Sequence, residues 1–171
     1  MIEDFLDINR IESGKYEINK YPFDLLNVVL DGLSGLEHSA SLKQIKLLHK
    51  LPRKMTPLLG DETLMTQVVM NLLDNAVKYS PNGSTVQIEV QEHTDMFLIS
   101  VEDNGPGIRD EEKSKIFEKF IRGSGDKGAG GFGLGLSFVR EVIEGHDGKI
   151  GVEDAEESGA VFIIQLPKRE N

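Results

Sequence analysis

The sequence predicts an α+β protein: a two-layer sandwich in which a mixed, mainly antiparallel sheet is covered on one face by helices. Three observations predict it. The alternating runs Val86–Glu92 and Met96–Glu102 are separated only by a short turn around Thr94–Asp95, too close for a parallel crossover. Long amphipathic helical patterns sit between clusters of strands instead of alternating with them one for one. The 171 residues are 39% hydrophobic, enough to close one core.

The elements follow in chain order. Ile2, Phe5, Leu6, Ile8 and Ile11 recur at helical spacing, and Gly14 is a stop signal. That pattern opens without a cap, so residues 1–20 are expected to be the remnant of a longer upstream helix and its linker. Residues 15–22 read as extended and end at Pro22. Asp24 is placed to cap a helix running to Leu42. Lys46–Leu51 and Met55–Leu59 read as short strands broken at Pro52. Asp61 caps a second long helix to Tyr79, closed by the turn signal Ser80-Pro81-Asn82-Gly83. After the hairpin of residues 86–102 an irregular, glycine-rich stretch reaches Gly131. A helix is expected from about Gly133 to Glu144, then strands at Gly151–Val152 and Ala160–Leu166. The main domain is therefore bounded at 21–168, with 169–171 as a tail.

Composition removes several function classes. There is no cysteine, hence no disulfide framework and no thiolate chemistry. No run of 18 apolar residues exists, and the first residues lack the basic-then-apolar order of a signal peptide. A cytoplasmic location is the expectation, whether or not a parent protein is membrane-anchored. The net charge of −10 disfavours nucleic acid and anionic lipid as partners, and no basic patch is evident against that mean. An anionic ligand would need local cations, helix N-termini or a metal.

Four segments carry candidate chemistry. In the helix ending NLLDNAVKY, Asn71, Asp74, Asn75 and Lys78 share one face, with Leu72, Leu73, Ala76 and Val77 on the other. That is an ordinary amphipathic helix, and also a face that suits a metal–phosphate group: a carboxamide oxygen is a hard ligand for Mg²⁺, and lysine a point charge for phosphate. Next, a strand runs into Asp103-Asn104-Gly105-Pro106-Gly107-Ile108, a tight turn that lets backbone approach a flat ligand. A carboxylate at its start can accept from the exocyclic amino group of adenine, where guanine offers an acceptor instead. Third, Gly131-Phe132-Gly133-Leu134-Gly135-Leu136 places glycines where a helix should start. Glycine costs about 1 kcal/mol there against alanine, so a reason is required, and close approach of phosphate to bare N–H groups is one. The run lacks both the full dinucleotide fingerprint and a Walker lysine. Fourth, in KIFEKFIRG, Phe117 and Phe120 flank Lys119, with Arg122 beyond; the pair of rings is also compatible with plain core.

Together, NLLDNAVKYS, VEDNGPGI, KIFEKFIRG and GGFGLGLSFV resemble, in order and spacing, the N, G1, F and G2 boxes of the catalytic ATP-binding domain of sensor histidine kinases. That family belongs to the gyrase–chaperone–histidine kinase–mismatch repair superfamily, whose fold is the Bergerat type. The resemblance covers roughly residues 20–168. It implies that Asn75 ligates Mg²⁺ with Asn71 in the same region, that Lys78 contacts phosphate and that Tyr79 packs near the purine. It implies that Asp103 binds adenine in a pocket shaped by Gly105, Gly107 and Ile108. Phe117 and Phe120 would anchor a mobile lid, and Lys119 and Arg122 would face the phosphates. Gly131, Gly133 and Gly135 would start the phosphate-side helix, with Phe132, Leu134 and Leu136 packing beside them. Asn71, Lys78 and Arg122 are the implied catalytic set, and ATP and Mg²⁺ the implied ligands.

One departure matters. The family's phosphoacceptor histidine motif is absent, and His38, His49, His93 and His146 lie outside any such context. The implied partners are therefore a separate dimerisation and phosphoacceptor domain and, through the whole protein, a response-regulator receiver domain. This chain alone is not expected to phosphorylate itself. The superfamily's hydrolases carry a glutamate at the position of Asn71; a carboxamide is no general base near neutral pH. An ATP-hydrolysing domain remains the alternative, with Asp74 as its nearest base.

Overall fold

The computed structural model describes residues 18–121 and 134–168. The anticipated helix of residues 1–14 and most of the glycine-rich stretch lie outside them. Within them the chain runs β1 (Tyr21–Phe23), α1 (Leu25–Leu42), β2 (Lys46–Lys50), β3 (Leu58–Gly60), α2 (Glu62–Tyr79), β4 (Thr85–Glu92), β5 (Met96–Glu102), α3 (Asp110–Lys113), α4 (Gly135–Gly145), β6 (Lys149–Asp154) and β7 (Ala160–Pro167).

Five strands form one sheet in the order β2-β4-β5-β7-β6. Only β2 and β4 pair in parallel; their connection passes through α2, the long crossover a parallel pair needs. The other pairings are antiparallel. Strict alternation decides which face is buried. Val86, Ile88 and Val90 on β4, Phe97, Ile99 and Val101 on β5, and Phe162, Ile164 and Leu166 on β7 join the core. The helices complete it with Val68, Val69, Leu72 and Leu73 from α2 and Val139, Val142 and Ile143 from α4. The sandwich expected from the sequence is thus the observed fold.

Both long helices start where the sequence places their caps. Asp24 accepts from the Leu26 N–H at 2.9 Å and Asp61 from the Leu64 N–H at 3.1 Å. Four details differ. β1 continues through Pro22 and pairs with β3, as an edge strand can, because proline lacks only a donor. β3 begins at Leu58, since Pro57 and Thr56 stand outside it; Thr56 instead donates to Glu92. β6 extends over Lys149–Asp154, recruited by pairing with β7 and not by its own propensity. The short α3 was not anticipated at all.

Charge is also less evenly spread than its mean suggests. Residues 38–60 contain Lys43, Lys46, Lys50, Arg53 and Lys54 and no acidic residue. Lys46 and Lys50 stand exposed on β2, an edge strand, where lysines discourage pairing with another sheet.

The segment entering the domain is pinned at the far end of α4. Lys20 pairs with Asp147 at 3.1 Å, and the Asn19 N–H donates to Asp61 at 3.2 Å. Buried His146 accepts from the Asp61 N–H through Nε2 at 2.9 Å, while Nδ1 lies 2.8 Å from the Val142 carbonyl. Burial holds its pKa below the ordinary value; Lys20 pushes the same way, while the Val142 carbonyl, Asp61 and Asp147 oppose. A histidine depressed in the folded state contributes stability that is complete above its unfolded value and is lost as pH falls toward the folded one. Wild-type protein is therefore expected to lose thermal stability between pH 7.5 and 5.5, at roughly 2–4 °C for each kcal/mol. His146→Gln keeps an acceptor but does not titrate, so its melting temperature should fall less over that range. Parallel melts of the two proteins check this; equal pH dependence would remove His146 as the cause.

Candidate nucleotide site

The candidate residues converge where the C-terminal half of α2, the end of β5, the start of α4 and the β6–β7 turn meet. Asn71, Asn75 and Lys78 follow at i, i+4 and i+7 on α2 and are all half-buried, between the core side and solvent-exposed Asp74. The Asn71 Nδ2 donates to the Gln67 carbonyl at 2.9 Å, which fixes the direction of its oxygen. That oxygen points at α4: a Cβ on Gly135 would stand 2.8 Å from Asn71 Oδ1. Two segments 64 residues apart in sequence thus touch, and glycine at 135 is what permits it. α4 begins at Gly135 with no side-chain cap, so its first N–H groups are not taken by a capping side chain.

Asp103 is 6% exposed at the end of β5. Its Oδ1 accepts from the Gly105 N–H at 2.8 Å and the Ala160 N–H at 3.3 Å. Burial is the main influence and raises its pKa, against these two bonds, with nearby Glu102 adding to the rise. Neither bond uses Oδ2, which leaves that oxygen for a ligand donor. Two glycines make the seat. A Cβ on Gly105 would lie 2.8 Å from Asp103 Oδ1 and 3.1 Å from the Tyr79 carbonyl. Gly159, at φ +104°, lies under the Asp103 carbonyl so closely that any Cβ would overlap it. Gly107, in the turn that follows Asp103, takes φ +73°. Ile108 is half-buried and packs on the core.

Lys78 Nζ sits 5.0 Å from the centre of the Tyr79 ring, a cation–π distance. Phe117 is buried and meets Phe162 edge-on, ring centres 6.3 Å apart. Phe120 is 63% exposed, with φ +63°, so of the two rings only Phe117 reaches the core, beside buried Ile116. Helical spacing suggested a shared face, but the helix of α3 ends at Lys113 and the chain turns irregularly after it. Lys119 Nζ lies 3.4 Å from Glu141 on α4. Leu134 and Leu136 are half-buried against the core. Arg122, Gly131, Phe132 and Gly133 lie outside the described residues.

The donor set suits a metal shared with phosphate better than a protein cage. Among the described residues no group of three His, Cys, Asp or Glu side chains could hold an ion. Asn75 supplies one neutral oxygen, which fits Mg²⁺ bound mainly by phosphate and water.

Sequence reasoning had no access to Gly159, which seats Asp103 from 56 residues away. Its only signal was the Ser158-Gly159 turn before a strand.

Comparison with known proteins agrees with this geometry. Residues 60–170 match the family described as histidine kinase-, DNA gyrase B- and HSP90-like ATPases. The adaptive-response sensory kinase SasA of Gloeothece citriformis is 33% identical over 168 residues, 98% of this chain and 43% of its own length. The sensor-like histidine kinase SenX3 of Mycobacterium bovis is 32% identical over 98% of this chain and 41% of its own. This chain thus spans less than half of these curated relatives. Among solved structures, the mycobacterial sensor histidine kinase MprB superposes with a TM-score of 0.78 at 31% identity, covering 88% of this chain and all of that one. Full-length ShkA, solved in complex with AMPPNP, gives 0.85 at 25% identity over 97% of this chain and 35% of its own. With residues 60–170 matching this family and MprB matched along its whole length, the chain belongs to the histidine kinase-, gyrase- and HSP90-like ATPases, and within them to the ATP-binding catalytic domains of sensor histidine kinases.

Proposed function

We propose that this domain binds Mg·ATP and donates its γ-phosphate to a histidine carried on a separate dimerisation and phosphoacceptor domain. The observation that carries the reading is the contact of Asn71 with Gly135, which sets a carboxamide, not a carboxylate, against the start of the phosphate-side helix. A carboxamide orients groups but takes no proton. Asp74, the nearest carboxylate on α2, is exposed.

The residues divide the work by chemistry. Asp103 accepts from the adenine amino group, and Tyr79, Gly107 and Ile108 bound the purine. The N–H groups at the start of α4 and the ammonium of Lys78 hold phosphate oxygens. Asn75 would hold Mg²⁺, which when bound neutralises charge on the phosphates. Lys119, paired with Glu141 on α4, and Arg122, outside the described residues, are the further cations that the family resemblance assigns to the phosphates. The chain's contribution is positioning and charge neutralisation.

The acceptor lies elsewhere because no histidine here suits the role. Both ring nitrogens of His146 are engaged in the interior. His38 lies on α1, His49 on β2 and His93 in the β4–β5 turn, none on the elements that build the site. A response-regulator receiver domain is the proposed recipient in turn, through the whole protein.

Mixing this chain with Mg·ATP labelled on the γ-phosphate and a separately made dimerisation and phosphoacceptor domain tests the proposal. Acid-labile label on that domain, and none on this chain alone, is expected. Steady release of inorganic phosphate without transfer would favour the hydrolase instead.

A further inference from the structure

We infer that Lys43 is a positioning residue of the nucleotide site, acting through the C-terminal turn of α2 without touching the nucleotide. The inference rests on the proposed binding of ATP at that site. Lys43 follows α1, and its Nζ lies 2.7 Å from the Val77 carbonyl, 2.9 Å from that of Lys78 and 2.7 Å from that of Ser80. An ammonium has three N–H donors and no acceptor, and here each donor has a carbonyl. The last carbonyls of a helix lack intrahelical partners and carry the negative end of its dipole, so a cation there is favourable. No carboxylate competes for it: among the described residues Lys43 makes no ion pair. Its own carbonyl accepts from the Gly83 N–H at 2.9 Å, so the residue grips the exit of α2 from both sides.

What lies beyond that exit is the adenine site. Between the Lys78 and Ser80 carbonyls held by Lys43, the Tyr79 carbonyl lies against Gly105, where a Cβ would stand 3.1 Å from it. The Ser80 hydroxyl accepts from the Asn104 N–H at 3.3 Å, and Asn104 Oδ1 accepts from the Thr85 N–H at 3.1 Å. Gly105 in turn donates to Asp103. One cation therefore sets the C-terminal end of the α2 face that carries Lys78 and, through Tyr79 and Ser80, the turn that holds Asp103.

A lysine that merely caps a helix changes stability; one that positions the site changes affinity in the folded protein. Lys43→Met keeps the stem and removes the charge. Lys43→Arg keeps the charge, but its planar fork cannot converge on three carbonyls in the same way. Mg·ATP titrations by calorimetry well below the melting temperature, with backbone amide spectra, separate the cases. Lys43→Met should weaken binding by about tenfold or more, with displaced amide signals at Tyr79, Asn104 and Gly105, and Lys43→Arg should fall between it and wild type. A folded Lys43→Met that binds within about twofold of wild type, lower melting temperature or not, overturns the inference. If Lys43→Met does not fold, the wild-type Lys43 Nζ resonance decides: it should shift on saturation with Mg·ATP, and an unmoved signal overturns the inference. Wild-type protein that binds no ATP sinks the functional reading itself, and this inference with it.

Discussion

Replacing Asp103 with Asn is expected to abolish measurable Mg·ATP binding while the protein melts at or above the wild-type temperature. Asparagine retains the oxygen that accepts from Gly105 and Ala160, so the turn keeps its two internal bonds. What changes is Oδ2, which becomes an NH₂ donor facing the adenine amino donor. Two buried donors facing each other leave both unpaired, and affinity should fall by about a hundredfold or more. Stability moves the other way. Burial raises the Asp103 pKa, so its contribution to folding is fully present below the unfolded value and is lost as pH rises through the folded one. At pH 7 the wild-type carboxyl therefore costs the fold something that a neutral carboxamide does not. Calorimetric titration paired with thermal melts reads both. A loss of binding with a collapsed fold would mean that Asp103 is structural, and retained affinity would mean that adenine is read elsewhere.

Among the described glycines, Gly159→Ala should be the most damaging substitution by a single methyl. The position combines φ +104°, which side chains rarely adopt, with a Cβ that would overlap the Asp103 carbonyl and stand 2.9 Å from the Asn104 Cα. Backbone on backbone cannot rotate away, so the β6–β7 turn or the end of β5 must move. Strain of this kind costs about 1–3 kcal/mol for the conformation alone, before the overlap. The Asp103 N–H bond to the Ala160 carbonyl, at 3.0 Å, lies directly beside it and should weaken. The expected result is a melting temperature lower by roughly 5 °C or more, with ATP affinity reduced in whatever remains folded. Gly151→Ala is the matched control, since a Cβ there meets nothing within 4 Å. Equal melting temperatures for the two variants would show that the turn accommodates a side chain.

The sequence was most legible where local chemistry decides structure. Asp24 and Asp61 announced their helices because a cap is a one-residue event, and the 86–102 hairpin because alternation and a short connection leave one topology. The faces of α2 were legible for the same reason, and with them Asn71, Asn75 and Lys78. Elements decided by partners were not. β1 and β6 have too little pattern of their own and exist through pairing with β3 and β7. Phe120 stands outside the core because spacing i, i+3 puts two side chains on one face only inside a helix, and α3 ends before it. Lys43 and Gly159 were invisible for a related reason: their roles are contacts with main-chain carbonyls of residues 34 to 56 positions away, which leave no motif.

The central claim is that a buried carboxylate at the end of β5 reads adenine in a nucleotide pocket. Titrating the wild-type chain with ATP and with GTP at matched Mg²⁺ tests it most directly. Asp103 should favour ATP by about a hundredfold or more, because guanine presents a carbonyl where adenine presents an amino group. Comparable affinity for the two nucleotides would contradict the assignment of Asp103.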